Sequence, residues 1–180
     1  MQLKALASGL GDGTKSVVEN VLRLLLNEQQ RIRLFVEGRQ HSTDQPEVAL
    51  LPKMQQLIDL NRRQWGCDIP LAVSPDNSAI RPELANQLDF ILGETIANAV
   101  RHGQASCVDV TVRKSSDRVL LHIKDNGHGL NDATGVYNGF ELAVRKIGPV
   151  SLRTRIAELN GSLALSSSPD GVELRIDLPA

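Results

Sequence analysis

Residues 82–130 read PELANQLDFILGETIANAVRHGQASCVDVTVRKSSDRVLLHIKDNGHGL, and the period of the apolar residues changes partway through. From Pro82 to His102, the residues Leu84, Leu88, Ile91, Leu92, Thr95, Ile96 and Ala99 recur at helical spacing. That pattern predicts one long amphipathic helix. Beyond it the period drops to two. Cys107–Arg113 and Val119–Lys124 alternate and are joined by SSDR, which predicts a β-hairpin.

Working outward, Leu152–Leu159 is helical, and Ser162–Ser167 and Val172–Leu178 form a second hairpin around SPDG. Toward the N-terminus, Ser74–Arg81 is rich in turn residues and Asp68–Val73 is a short strand. Glu47–Gln64 is a helix that tolerates Pro52 in its first turn. His41–Pro46 is a loop. Before it a long helix is expected, with Thr14 as N-cap and Gly38 as stop. In that helix Val18, Leu25 and Ile32 repeat every seven residues, with Val21, Leu22, Phe35 and Val36 on the same side. The period suits a coiled-coil or bundle seam, and equally a helix packed on its own domain. The order α, α, β, α, β, β, loop, α, β, β predicts an α/β fold. It is a two-layer sandwich of one mixed β-sheet with helices on one face, preceded by a long helix.

The chain has 180 residues, enough for one domain and a short attachment. Twenty Lys+Arg against 21 Asp+Glu leave a net charge of −1, so no positive field exists to neutralise a nucleic-acid backbone. Aromatics make up only 3%, which argues against base recognition on a stacking platform. Cys67 and Cys107 lie in no zinc-ligand pattern and read as small buried residues of a reduced, cytoplasmic chain. No apolar run long enough for a membrane span occurs, although a parent protein could carry an anchor upstream.

Three constellations carry candidate chemistry. On the long helix, Glu94, Asn98 and Arg101/His102 share one stripe. A carboxylate and a carboxamide at i, i+4 offer oxygens to a hard cation such as Mg²⁺, and the basic residues beyond could meet phosphates. The plainer reading is a solvated helix face. The second is Asp125-Asn126-Gly127-His128-Gly129 at a strand end. A carboxylate only accepts hydrogen bonds, so it suits the amino group of adenine and repels the carbonyl of guanine. Glycines allow close approach of backbone to a planar ligand. DNG is also an ordinary turn. The third is Lys146-Ile147-Gly148-Pro149-Val150-Ser151-Leu152-Arg153, a glycine loop entering a helix, where free N–H groups can bind phosphate. Ser151 could equally be that helix's N-cap.

Together these motifs resemble the GHKL ATPase superfamily, the nucleotide-binding domain shared by DNA gyrase, MutL and bacterial histidine kinases. ETIANAVRHGQAS looks like its N box, IKDNGHGL its first glycine box, and residues 148–179 its second glycine box and terminal hairpin. The likeness is strongest to sensor kinases that pair with response regulators carrying a helix-turn-helix output. It implies that residues 47–180 are the ATP-binding catalytic domain and residues 1–46 part of a dimerisation helix with its loop. It implies Asn98 as ligand of ATP-bound Mg²⁺ and Glu94 as the residue that holds or activates a metal-bound water. Asp125 would bind adenine, with Gly127 and Gly129 shaping the pocket. Arg101, His102, Lys146, Gly148, Ser151, Leu152 and Arg153 would lie along the ATP phosphates, and Asn131–Ile147 would be a mobile ATP lid. The partners implied are ATP, a response regulator and a second copy of the full-length kinase, with no nucleic acid and no direct membrane contact.

The chain departs from the pattern in three places. Of about three glycines in the second box only Gly148 remains, with Lys146 and Ser151 at the other places. Gly171-Val172 stands where relatives often carry Gly-Thr. None of His41, His102, His122 and His128 sits in an acceptor motif, so the phosphorylated histidine is expected outside this chain. Two alternatives stay open: a stand-alone anti-sigma-type serine kinase, and a degenerate module that no longer catalyses.

Overall fold

Pro82 opens the helix that organises the molecule. Proline at the first helical position has no N–H to leave unpaired, and its ring presets φ. Arg81 before it is extended, with φ −63° and ψ 143°. Helix α2 then runs Pro82–Arg101 and buries Leu84, Ala85, Leu88, Ile91, Leu92, Thr95, Ile96 and Ala99. Thr95 is the polar member of that face, and its hydroxyl donates to the Ile91 carbonyl at 2.8 Å. The computed structural model describes residues 46–130 and 133–180. The expected helix over 14–38 and the loop up to residue 45 lie outside the described residues.

Helix α1, Leu50–Trp65, packs beside α2. Lys53 Nζ reaches Asp89 Oδ2 across the pair at 2.6 Å. The expected start of α1 at Glu47 is displaced to Leu50. Val48–Ala49 (β1) instead pairs antiparallel with Ala79–Ile80 (β3), inside the stretch read as turn. Strand β2, Leu71–Ser74, starts later than expected, and Asp68 keeps only an isolated parallel bridge to Cys107.

The main sheet adds β4 (Val108–Lys114), β5 (Arg118–Asp125), β6 (Gly135–Asn138), β7 (Ser162–Ser168) and β8 (Gly171–Pro179). Its order is β2-β4-β5-β8-β7-β6. Only β2 and β4 run parallel, so the sheet is mixed as expected. Along β5 the residues Val119, Leu121, Ile123 and Asp125 are buried, while Leu120, His122 and Lys124 face outward. The inward set joins one core with Leu88, Ile91, Leu92 and Ile96 of α2, all fully covered. Each such side chain contributes about 1.5–3 kcal/mol by leaving water. The two-layer sandwich follows from these two faces.

The segment read as a lid, Asn131–Ile147, contains regular structure. Strand β6 pairs with β7, and α3 (Gly139–Val144) follows at once. Asn138 Oδ1 accepts from the Glu141 N–H at 3.0 Å, and Glu141 Oε2 accepts from the Asn138 N–H at 2.9 Å. This reciprocal capping box was legible as N-x-x-E. The last helix, α4, is Val150–Glu158. Among the described residues no helix is long and apolar enough to cross a membrane.

Candidate functional site

Alternation along β5 decides where Asp125 points. It is the last inward position of the strand, and it is buried at 8% exposure. Its Oδ1 accepts from the Gly127 N–H at 2.9 Å and from the Val172 N–H at 3.2 Å. Oδ2 accepts no hydrogen bond from the described residues and is left for a donor from outside. The Gly171-Val172 turn thus serves Asp125 through its backbone. A Cβ on Gly171 would lie 2.1 Å from the Asp125 carbonyl oxygen, which explains glycine there.

The loop after β5 is braced from three sides. Asn126 Oδ1 accepts from the N–H groups of Ser106 and Cys107, each at 2.9 Å, and its Nδ2 donates to Ser106 Oγ. Gly129 has φ +73°, and a Cβ there would meet the Ser168 carbonyl oxygen at 2.0 Å. Leu130 N–H donates to the buried Ser167 hydroxyl at 2.8 Å. The sequence reading missed Asn126 and Ser167 as supports. DNG signalled a turn, but nothing local says which backbone an Asn amide will brace.

The α2 stripe holds its expected order but not one common use. The Asn98 carbonyl accepts from the N–H groups of His102 and Gly103 and ends the helix. Its side-chain amide has no partner among the described residues and is half-buried. Arg101 lies with its guanidinium carbon 4.6 Å from the Trp65 ring centroid, against α1. His102 is exposed. Glu94 is half-buried. Its Oε1 accepts from the Ser151 hydroxyl, and its Oε2 is sealed from solvent without a partner.

The third constellation leads into α4. Lys146 and Gly148 both adopt left-handed backbone, with φ +56° and +68°. Ser151 is not the N-cap. Pro149 takes that position with φ −69°, so Ser151 falls one residue inside the helix and its hydroxyl is free to reach Glu94. Leu152 is a core side chain at 1% exposure and offers only backbone to a ligand. Arg153 Nη1 donates to the carbonyls of Ile147 and Gly148, bracing the loop. Arg155, not singled out from sequence, stacks on Phe90 and donates to Gln87 Oε1 at 2.7 Å. Burial lowers its pKa, opposed by the nearby charges of Glu158 and Glu94.

The remaining reactive groups lie elsewhere. Cys67 is buried, which pushes its thiol pKa up, whereas Cys107 is only half-buried, less than expected. His122 stands on the outward face of the sheet, 2.8 Å from Glu173 Oε1. A shallow concavity of about 550 Å³ on that face, between Arg113, Leu120, His122 and Arg175, contains none of the three constellations.

Comparison with known proteins agrees with this fold. The family model described as "Histidine kinase-, DNA gyrase B-, and HSP90-like ATPase" matches residues 83–180. The sensor histidine kinase LnrJ of Bacillus subtilis (strain 168) is 29% identical over 159 residues, covering 88% of this chain and 36% of that protein. The sensor histidine kinase NarS of Mycobacterium tuberculosis is 27% identical over 134 residues, covering 74% of this chain and 30% of that protein. The chain therefore spans about a third of the length of these curated relatives. The crystal structure of the ATP binding domain of PrrB from Mycobacterium tuberculosis superposes with a TM-score of 0.58 at 26% identity, covering 75% of this chain and 96% of that one. The chain belongs to the family of histidine kinase-, DNA gyrase B- and HSP90-like ATPases.

Proposed function

We propose that residues 47–180 are the ATP-binding catalytic domain of a sensor histidine kinase, passing the γ-phosphoryl group of ATP to a histidine outside this chain. The observation that carries the reading is the state of Asp125. One oxygen is fixed by two backbone N–H groups, and the other is open toward a ligand. Such a carboxylate receives the adenine amino group and leaves guanine's carbonyl facing a negative oxygen. Gly127, Gly129 and Gly171 keep the surrounding backbone close.

Asn98 is read as the protein ligand of Mg²⁺, with Glu94 beside it on the α2 stripe. The donor set fits this ion. Among the described residues no three His, Cys, Asp or Glu side chains cluster as a cage, whereas Mg²⁺ typically takes one or two protein oxygens and completes its shell with substrate phosphates and water. When bound, Mg²⁺ would neutralise charge on the phosphates. Gly148 and the first turn of α4 offer backbone N–H groups to the same phosphates, the N–H groups of Lys146 and Ile147 being already paired to Ala143 and Leu142. Glu94 accepts a proton or orients the attacking group. The γ-phosphorus–oxygen bond breaks, a phosphorus–nitrogen bond to the imidazole forms, and ADP leaves.

The wider reading has two supports. The named relatives are sensor kinases, which favours a histidine acceptor over the serine kinase alternative. The seven-residue apolar spacing supports assigning residues 1–46 to a dimerisation helix and loop. A two-component kinase of this kind works in the cytoplasm as a homodimer and hands its phosphoryl group to a response regulator. Calorimetric titration of the chain with Mg-ATP and Mg-GTP tests the core of the proposal. Saturable binding of ATP with GTP at least tenfold weaker is expected, on the scale of one mismatched buried polar group, about 1–3 kcal/mol. Equal affinity for the two nucleotides would remove the basis for the reading.

A further inference from the structure

Glu94 and Ser151 lie 57 residues apart in the chain, yet the Ser151 hydroxyl donates to Glu94 Oε1. One turn further along α4, Arg155 places its guanidinium carbon 3.6 Å from the Phe90 ring centroid and bonds Gln87. Gln87, Phe90 and Glu94 follow one another on one stripe of α2, and Ser151 and Arg155 do so on α4. The two helices meet along a polar seam, and Glu94 is the end of that seam nearest the phosphate loop. Two atoms of the seam, Glu94 Oε2 and Arg155 Nε, are buried without partners among the described residues.

A serine hydroxyl has one proton to give. Given to Glu94, it is not available to a phosphate at the same time. The carboxylate is left with one oxygen held and the other free, and a buried free oxygen is unfavourable unless a further donor completes it. We propose that Ser151 is a positioning residue for Glu94. It holds Oε1 and so fixes the orientation of the Glu94 carboxylate on the α2 stripe. It also ties that orientation to the seating of the phosphate loop at the head of α4. The inference rests on the role assigned to Glu94 above. It changes the part expected of Ser151 from phosphate ligand to support of the carboxylate.

The test uses the whole chain with Mg-ATP and a separately purified helical domain that carries the acceptor histidine of a sensor kinase. Two quantities are read for wild type, Ser151→Ala, Ser151→Thr, Glu94→Gln and the Ser151→Ala/Glu94→Gln pair. They are Mg-ATP affinity by calorimetry and the transfer rate at saturating Mg-ATP. Ser151→Ala is expected to keep its affinity within about twofold, because the group lost does not bind ground-state nucleotide. Its saturating rate is expected to fall by about tenfold or more, the scale on which a misplaced catalytic group costs rate. Ser151→Thr, which keeps the hydroxyl, restores most of the rate. In Glu94→Gln the Ala substitution adds little, because the two residues act as a unit. An unchanged rate in Ser151→Ala, or lost affinity with an unchanged saturating rate, overturns the proposal, the second outcome marking Ser151 as a phosphate ligand. A wild-type chain that binds no Mg-ATP, or binds it and transfers nothing, fails the underlying reading and takes this inference with it. If Ser151→Ala does not fold, Ser151→Gly and Ser151→Thr carry the comparison.

Discussion

Gly127 and Gly103 touch through backbone alone: a Cβ on Gly127 would sit 2.4 Å from the Gly103 carbonyl oxygen. The His128 N–H donates to that same oxygen at 3.0 Å. The contact fastens the end of α2 to the loop after β5, and so sets Asn98 relative to Asp125. Gly127→Ala must push the two segments apart. Expected is a loss of about 1–3 kcal/mol in denaturant unfolding, the usual cost of overpacking, together with at least tenfold weaker Mg-ATP binding. An alanine variant with wild-type stability and affinity would show that the contact is slack.

Gly93 is the contrasting case. It lies inside α2 with no atom within 4 Å of an added Cβ. Gly93→Ala is expected to raise stability by about 0.5–1 kcal/mol, because glycine loses more backbone freedom in a helix. The midpoint of urea unfolding measures it, and a lower midpoint would contradict the open space seen here.

Asp125→Asn tests base selection. The two N–H groups that hold Oδ1 require an acceptor, so they will select the amide oxygen and turn the NH₂ toward the ligand. A donor then faces adenine's amino donor. ATP affinity should fall about 10- to 100-fold, equivalent to about 1–3 kcal/mol for an unsatisfied buried pair. The ATP-over-GTP preference should narrow or reverse, since an NH₂ suits guanine's carbonyl. Competition calorimetry reads both, and an unchanged preference would exclude Asp125 as the selecting group.

Arg155 is structural: it covers Phe90 and donates to Gln87. Removing it uncovers Phe90 and leaves Gln87 Oε1 without its donor. Arg155→Ala should cost about 1–3 kcal/mol, combining a lost hydrogen bond with lost stacking. Arg155→Lys should recover little, because an ammonium cannot stack flat on the ring. Chemical denaturation of both variants decides, and full rescue by lysine would reduce the seam to simple charge.

Glu173 gives the outer face a pH signature. The hydrogen bond with His122 and then that with Arg175 hold its carboxyl below the usual value of 4.5. A carboxyl with a depressed folded pKa adds stability above its unfolded pKa, and that stability is lost as pH falls through the folded one. Wild type should therefore lose stability between about pH 5 and pH 3, and Glu173→Gln should lose less over the same interval. The difference should shrink in high salt, since Glu173 is half-buried while its partners His122 and Arg175 are exposed. Urea unfolding at the two pH values tests it, and parallel losses in both proteins would assign no role to this cluster.

Much of this molecule was legible before any coordinates. The stripe from Leu84 to Ala99 fixed α2 almost to the residue, and alternation in Val119–Lys124 put Asp125 on the inward side. What was misread was short or shared. Strand β6 has four residues, too few for a period, and exists because β7 offers it an edge. Ser151 could serve as cap or ligand, and Pro149 removed the first role by taking the cap position.

The sequence alone determined the longer elements, the inward register of β5 and the glycines that let backbone close around Asp125. Each of these depends on periods and turn preferences that act over a few neighbouring residues. Only the tertiary structure decided the pairings of side chains with several possible partners. Arg101 went to Trp65, Arg153 to the loop carbonyls, and Ser151 to Glu94. A hydroxyl or a guanidinium carries no address, and its partner is whichever acceptor or ring the packed helices and loops bring within reach.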